Sequence, residues 1–276
     1  MASSLEQAEE SSLESPHQSG TAMRSAAEPI RVMAQKALSR LTVWLEKRIP
    51  AHTTVGMGPL VAHEKFPWAE TLERNWQQIR GELDAMLAHY DALPNIQDIA
   101  ADQYSLTQDD KWKTFCFHVF GERFEGNCGR CPKTAELLDG IPGITTAFFS
   151  ILAPNKHIRA HRGYYRGVVR YHLALKVPRD ASACGIRVGD EVVQWSEGTG
   201  FFFDDTYRHE AWNRTSEMRV VLLLDVLRPL SFPYSLLNKI VIYGMARLTP
   251  IRDVKTRYEA WERGFEKALG GSKAEA

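Results

Sequence analysis

The sequence predicts an α+β protein in which helices come first, a β-sandwich or barrel follows, and helices return at the end. Three observations carry this. Before about residue 100, apolar residues recur every three to four positions. After Gly143 the texture changes to short β-rich runs bounded by Pro, Gly or Asp. Beyond Pro229 the helical spacing resumes. A chain of 276 residues, 44% hydrophobic and 25% charged, has the composition of an ordinary globular protein.

Taken in order, residues 1–27 hold few large apolar side chains and are expected to be a disordered tail. Residues 28–100 read as a helical region packed on the core. Its first helix follows Pro29, with Ile30, Met33, Ala37, Leu38, Leu41, Trp44, Leu45 and Ile49 on one stripe. Arg31, Lys36, Arg40, Lys47 and Arg48 occupy the other face. Two readings fit that face: a solvated surface, or contact with an anionic membrane. A second helix is expected over Trp68–His89, with Leu72, Trp76, Ile79, Leu83, Met86 and Leu87 on its stripe and Pro94 closing the region.

Residues 101–230 form the expected core. "PKTAELLDGIP" predicts a short helix, with Pro132 at its start and Gly140 past its end. "ITTAFFSILAP", "GVVRYHLALKVP", "CGIRVGDEVVQW", "GTGFFFDD" and "MRVVLLLDVLRP" then predict closely spaced strands, the third a hairpin turning at Gly189-Asp190. Residues 231–276 are expected to be a helical extension, apolar to Leu248 and charged to about Leu269.

Composition also excludes functions. Lys+Arg and Asp+Glu are equal at 34 each, with no basic run, so nucleic acid is not an expected partner. Cys116, Cys128, Cys131 and Cys184 are too few for a disulfide scaffold, and the N-terminus lacks a secretory pattern, so a reducing, cytoplasmic location is expected. The longest apolar candidate, Leu236–Leu248, contains Lys239 and falls short of the roughly 18 residues that span a bilayer.

The chemistry gathers in the β region, which holds His157, His161, His172 and His209. His161 lies in a loop before a strand, and His209 just after "FFFDD". Successive strands return to the same end of a barrel, so this pair can meet there, and neutral imidazoles suit Fe(II), Zn or Cu. Arg170 and His172 alternate in one strand and so share a face, the expected interior. Arg219 opens another very apolar strand. Buried arginines require anions. Either they clamp a dicarboxylate ligand, for which 2-oxoglutarate is the iron-chelating candidate, or they pair with Asp204, Asp205 or Asp225. Cys128-x-x-Cys131 with Cys116 and His118 offers a rival zinc reading.

"HRGYYRGVVRYHLAL" and "FFFDDTYRHEAWNRTSEMRVVLLLDVLRP" together resemble the aspartyl/asparaginyl β-hydroxylase family, over roughly Lys111 to Pro229 and including "CPKTAELLDGIP". The resemblance implies a double-stranded β-helix (jelly-roll) core, Fe(II) as metal, and 2-oxoglutarate and O2 as cosubstrates. It implies His161 and His209 as the iron ligands, and Trp112, Ser150, Arg170, His172 and Arg219 as the residues that bind 2-oxoglutarate.

The wider dioxygenase pattern uses two His and a carboxylate. Gly163 stands where that carboxylate is expected, as the resemblance implies for protein-modifying members, in which water fills the position. Asp204 and Asp205 are then expected as acceptors for the ligand imidazoles. The chain resembles the branch typified by lipid A 2-hydroxylases and ornithine-lipid hydroxylases of bacteria. That branch implies a membrane-lipid acyl chain as substrate and a peripheral position on the inner face of the cytoplasmic membrane. An amino-acid hydroxylase and a non-catalytic jelly-roll binding module are the alternatives.

Overall fold

The computed structural model describes residues 27–248 and 251–271; the tail expected over residues 1–27 lies, up to residue 26, outside the described residues. Two antiparallel sheets face one another. The strands are β1 (Leu60–Val61), β2 (Trp112–Val119), β3 (Glu122–Arg123), β4 (Ile144–Leu152), β5 (Lys156–His161), β6 (Val168–Lys176), β7 (Cys184–Val188), β8 (Glu191–Val193), β9 (Gly200–Phe203), β10 (His209–Asn213) and β11 (Arg219–Leu227). The larger sheet has the order β1-β9-β6-β11-β4-β2-β3, and the smaller β5-β10-β7-β8. Apart from the β7–β8 hairpin, which stays in the small sheet, the eight strands β4 to β11 alternate between sheets in the jelly-roll order, which makes the core a double-stranded β-helix.

Alternation decides which residues reach the site. In β11, Val220, Leu222, Leu224 and Val226 join the apolar layer beneath the helices, whereas Val221 and Leu223 join the cluster between the sheets. Arg219 and Asp225 share the parity of that second set. In β6, Tyr171, Leu173 and Leu175 face the helices and Ala174 faces the inter-sheet cluster, so Arg170 and His172 point inward with it. The large sheet is buried on both faces, and β2 and β11 are accordingly buried along almost their whole length, β11 with a nearly unbroken apolar sequence and β2 with Lys113, Thr114 and His118 among its buried residues.

The helices are α1 (Ala27–Glu46), α2 (Ile49–His52), α3 (Ala69–Arg74), α4 (Trp76–Leu87), α5 (Ile96–Ile99), α6 (Glu125–Arg130), α7 (Pro132–Asp139), α8 (Tyr234–Leu248) and α9 (Ile251–Gly271). The stretch expected as one helix over Trp68–His89 is two, because Asn75 leaves helical geometry (φ −103°, ψ 9°) and turns its side-chain amide back to the Thr71 carbonyl at 2.7 Å. α1 runs antiparallel to α8: Trp44 stacks on Tyr234 near one end, and Leu38 lies against Gly244 further along. Only part of the apolar stripe of α1 is covered. Leu38, Leu41 and Leu45 pack, but Met33 is 71% exposed and Trp44 42%.

Strands β1, β2, β3, β5 and β10 are absent from the sequence reading, and for β5 and β10 the reason is physical. They belong to the small sheet, whose outer face meets water. Their sequences, "KHIRAH" and "HEAWN", therefore alternate buried with charged or exposed residues. On that outer face His157 and Arg187 both bond to Glu210. A strand with so many polar side chains carries a weak β signal in sequence.

Candidate metal centre and cosubstrate pocket

His161 is the last residue of β5 and His209 the first of β10, and the antiparallel register sets them directly opposite one another. Their ring centroids are 4.1 Å apart. His161 Nδ1 donates to the Arg159 carbonyl at 2.8 Å, and His209 Nδ1 donates to the Tyr207 carbonyl at 2.9 Å. A carbonyl only accepts, so both protons are on Nδ1 and both Nε2 atoms keep a free lone pair. Burial holds both imidazoles neutral. For His209, burial, His161 and Arg170 together push the pKa down to about 3. For His161 burial lowers it, Arg170 adds to the effect, and the bond to Arg159 opposes it. Neutral rings with a fixed tautomer are the ligand form of histidine.

A second group faces this pair across the β-helix. Trp112 on β2, Leu152 on β4 and Arg219 on β11 are register neighbours. Trp112 Nε1 donates to Ser150 Oγ at 3.1 Å, and Arg219 Nη1 donates to the Ser150 carbonyl at 3.2 Å. The Arg219 guanidinium lies 4.5 Å from the centroid of Trp195. Trp195 stacks in turn on His172 at 6.2 Å; His172 is 5.0 Å from Phe203, and Phe203 is 5.7 Å from His209. One chain of contacts thus joins the two imidazoles to Arg219.

Three of these side chains have unspent hydrogen-bonding capacity. Arg219 Nε, both ring nitrogens of His172 and Trp195 Nε1 are buried without a partner among the described residues. Arg219 is 1% exposed and forms no ion pair with a carboxylate among the described residues, and burial, opposed by Cys184, lowers its pKa to about 10. His172 is held well below the ordinary histidine range by burial and by the cations Arg219 and Arg170. Leaving such groups unpaired costs about 1–3 kcal/mol each, more for a charge, so a pocket of this kind is built for a polar, anionic visitor.

For Arg170 the structure takes the second of the two readings, pairing with an acid, and departs from the role that the resemblance implies. Arg170 was expected to hold a ligand carboxylate, but it is already neutralised: Nε and Nη2 donate to the two Asp225 oxygens at 2.8 and 2.9 Å, and Asp205 lies 3.2 Å away. Burial opposes its charge, yet Asp225 and Asp205 outweigh this and raise its pKa. Arg219 is the buried cation of the pocket that meets no carboxylate among the described residues.

The expected role of Asp204 and Asp205 as acceptors for the ligand imidazoles is also replaced, by the carbonyls of Arg159 and Tyr207. Asp204 instead pairs with Arg228 at 2.7 Å. Asp205 occupies the room beside Gly163: a Cβ at 163 would meet the Asp205 carboxylate at 2.3 Å, while Gly163 N–H donates to the Asp205 carbonyl at 2.7 Å.

Sequence reasoning missed Trp195 and Phe203, which floor the pocket, and the Arg228–Asp204 pair. The apolar "VVQW" and "FFF" runs signalled burial but not which residue faced inward. The rival cysteine site does not assemble: Cys128 and Cys131 are buried free thiols, and burial raises the Cys128 pKa to about 11 and the Cys116 pKa to about 12. Among the described residues no three His, Cys, Asp or Glu side chains form a metal-holding group, so His161 and His209 stand as a pair.

The pair fits a divalent metal through its donor chemistry, two neutral imidazoles presenting Nε2, and the orphaned Arg219 and His172 fit an anionic chelator beside it. The aspartyl/asparaginyl beta-hydroxylase family pattern matches residues 73–229. The ornithine lipid ester-linked acyl 2-hydroxylase of Rhizobium tropici is 40% identical over 226 residues, 82% of this chain and 80% of that protein. The human aspartyl/asparaginyl beta-hydroxylase is 32% identical over 165 residues, 58% of this chain but 21% of the human protein. Aspartate beta-hydroxylase domain-containing protein 2 of Rattus norvegicus is 32% identical over 169 residues, 58% of this chain and 48% of that protein. The match over more than half of the chain shows that it belongs to the aspartyl/asparaginyl beta-hydroxylase family of enzymes.

Proposed function

We propose that this enzyme is an Fe(II)- and 2-oxoglutarate-dependent dioxygenase that hydroxylates a fatty acyl chain of a bacterial membrane lipid, of the ornithine-lipid or lipid A type, near the acyl carbonyl. The observation that carries the dioxygenase reading is Arg219: a fully buried guanidinium without an acid, joined by aromatic contacts to two Nε2-presenting histidines. The lipid reading is supported by the similarity to the Rhizobium tropici acyl 2-hydroxylase along most of both chains.

His161 and His209 would hold the iron, and Arg219 the far carboxylate of 2-oxoglutarate. His172 offers its unpartnered ring nitrogens beside that carboxylate. Trp112 fixes Ser150 Oγ, so the hydroxyl at the pocket wall has one orientation. Arg170 holds Asp205 and Asp225 in place next to the metal histidines. Trp195, Phe203 and the surrounding apolar side chains exclude water from the reacting centre. When bound, the metal and its cosubstrate supply O2 activation, so that C–H, O2 and 2-oxoglutarate become C–OH, succinate and CO2.

The enzyme would meet its substrate at the inner face of the cytoplasmic membrane. None of the described helices is long and apolar enough to cross a membrane, which is compatible with a peripheral position. Lipid mass spectrometry of a bacterial host that expresses the gene tests the reading. Wild type should add one oxygen to an acyl chain of an amino-acid-containing or lipid A-type lipid, and His161→Ala and His209→Ala should add none. Hydroxylated aspartyl or asparaginyl residues with unaltered lipids would overturn it in favour of an amino-acid substrate.

A further inference from the structure

The α1–α8 pair presents a surface that the jelly roll does not need. Along α8 and the turn before it, Phe232 (81% exposed), Leu236 (51%), Ile240 (49%) and Tyr243 (37%) follow one another at spacings of four, four and three. That spacing places Leu236, Ile240 and Tyr243 on one outward stripe of α8, with the exposed Phe232 in the turn that leads into it. Lys239 and Arg247 are exposed on the same side, and residues 230–248 contain no acid. The outward face of α1 has the same character. Met33, Val43 and Trp44 are exposed there among Lys36, Arg40 and Lys47, and the sole acid between residues 31 and 48 is the half-buried Glu46. Trp44 stacks on Tyr234, and the Arg48 guanidinium lies 5.4 Å from the Trp44 centroid.

Three features separate this face from an ordinary surface. It concentrates large apolar groups that a soluble surface disperses. It is locally cationic on a chain whose formal net charge is zero. Two of its exposed aromatic residues, Trp44 and Tyr243, are of the kind that sit at a bilayer's headgroup level. It is also connected to the site. Asn238, on the inner side of α8, accepts from Tyr165 Oη at 2.9 Å and donates to the Gly167 carbonyl at 2.7 Å. Tyr165 and Gly167 belong to the loop that leaves His161, and Tyr164 in that loop is 81% exposed. The apolar stripe and the loop beside the first metal histidine are therefore held as one piece.

We infer that the outward face of α1 and α8, with Phe232 at its edge, is a docking surface for an anionic lipid bilayer, seated so that the His161–Gly167 loop meets the membrane. Apolar side chains enter the headgroup layer while the lysines and arginines meet lipid phosphates, the arrangement of an interfacial helix pair. The inference deepens the lipid reading by naming the partner surface, and its test is independent of turnover.

Full-length protein would be sedimented with vesicles of phosphatidylcholine alone and of phosphatidylcholine with 30% phosphatidylglycerol, on the order of physiological composition. Neither contains the proposed substrate. Wild type should pellet with the anionic vesicles and release in high salt. Lys36→Gln, Arg40→Gln and Lys47→Gln combined should weaken binding about a hundredfold. Phe232→Ser, Leu236→Gln and Ile240→Gln combined should weaken it at least tenfold. All six side chains are exposed, so thermal unfolding should be unchanged in both variants. Equal binding of wild type and both variants, or equal binding to neutral and anionic vesicles, overturns the surface. So does a dimer in sedimentation velocity that the Leu236 and Ile240 changes dissociate, since a second copy would then occupy the face. If wild type binds as expected while no lipid is hydroxylated, the docking surface stands and the substrate reading fails.

Discussion

Strand β11 has a fully buried arginine at each end, and the two are in opposite situations. Arg228, just past the C-terminal end, uses its whole fork: Nη2 to Asp204 at 2.7 Å, Nε to the Arg166 carbonyl at 2.7 Å and Nη1 to the Gly56 carbonyl at 3.0 Å. Arg219, at the N-terminal end, has one bond to the Ser150 carbonyl, an aromatic ring and an unpartnered Nε. Burial is the same; satisfaction is not. A buried charge is tolerated for two reasons, to hold backbone segments together or to wait for a ligand, and partner counting distinguishes them. Arg228 ties the loop after His161 and the segment at Gly56 to the core. Arg219 is the end of the strand where chemistry is expected.

The largest expected effect tests the satisfied end. Arg228→Leu should destabilise the fold by about 3–5 kcal/mol, because it strands the fully buried Asp204 carboxylate. Adding Asp204→Asn should recover part of that loss, measured by urea unfolding. The unsatisfied end should behave in the reverse way. Arg219→Leu should leave stability within about 1 kcal/mol of wild type, since an unpaired buried charge is exchanged for an apolar group. It should weaken 2-oxoglutarate binding by about two to three orders of magnitude, measured by titration of the metal-loaded protein. Arg219→Lys should rescue poorly, for lack of the planar fork. A large stability loss in Arg219→Leu would show that the two ends are alike after all.

The smallest effect concerns pH. His209 titrates near 3 in the folded protein against an ordinary 6.5, and His161 and His172 are shifted in the same direction. As pH falls below 6.5 the unfolded chain takes up protons that the native state refuses, so the metal-free protein should lose stability down to about pH 3. Asp205 acts with the opposite sign. Its carboxyl is pushed up to about 6, chiefly by burial, so between about 6 and 3.8 the native state binds the proton first and regains some stability. Three histidines against one carboxyl make the net slope a loss on acidification. His172→Gln should flatten it in thermal melts between pH 7 and 5.

The legible parts of the sequence were those with a strong local period. The apolar runs of β4, β6, β9 and β11, the Gly189-Asp190 hairpin and α7 between Pro132 and Gly140 all appear where their patterns indicated. The inward parity of Arg170 and His172 follows from simple alternation. What was not legible was long-range satisfaction. Asp225 neutralises Arg170 from 55 residues away, and Trp195 reaches Arg219 from 24 residues before it in sequence. Asp225 could be named only as one of three acids open to Arg170 and Arg219, and Trp195 not as a site residue at all, because pairing depends on register between strands that are distant in sequence. The imidazole acceptors were backbone carbonyls, and those carry no side-chain signature at all.

The crowding of Gly163 against Asp205 makes these two positions an epistatic pair. With Asp205 present, any side chain at 163 collides with a buried carboxylate that Arg170 holds in place. A single change of Gly163 to Asp therefore cannot install the third metal-binding carboxylate of the wider superfamily; it creates a steric conflict and a like-charge contact instead. The route to a three-residue metal site runs through Asp205 first, and truncating Asp205 removes one of the acids that balance Arg170. Packing at Gly163 and Asp205 therefore disfavours a carboxylate at position 163, independently of any demand of catalysis, and keeps the proposed metal centre to two histidines.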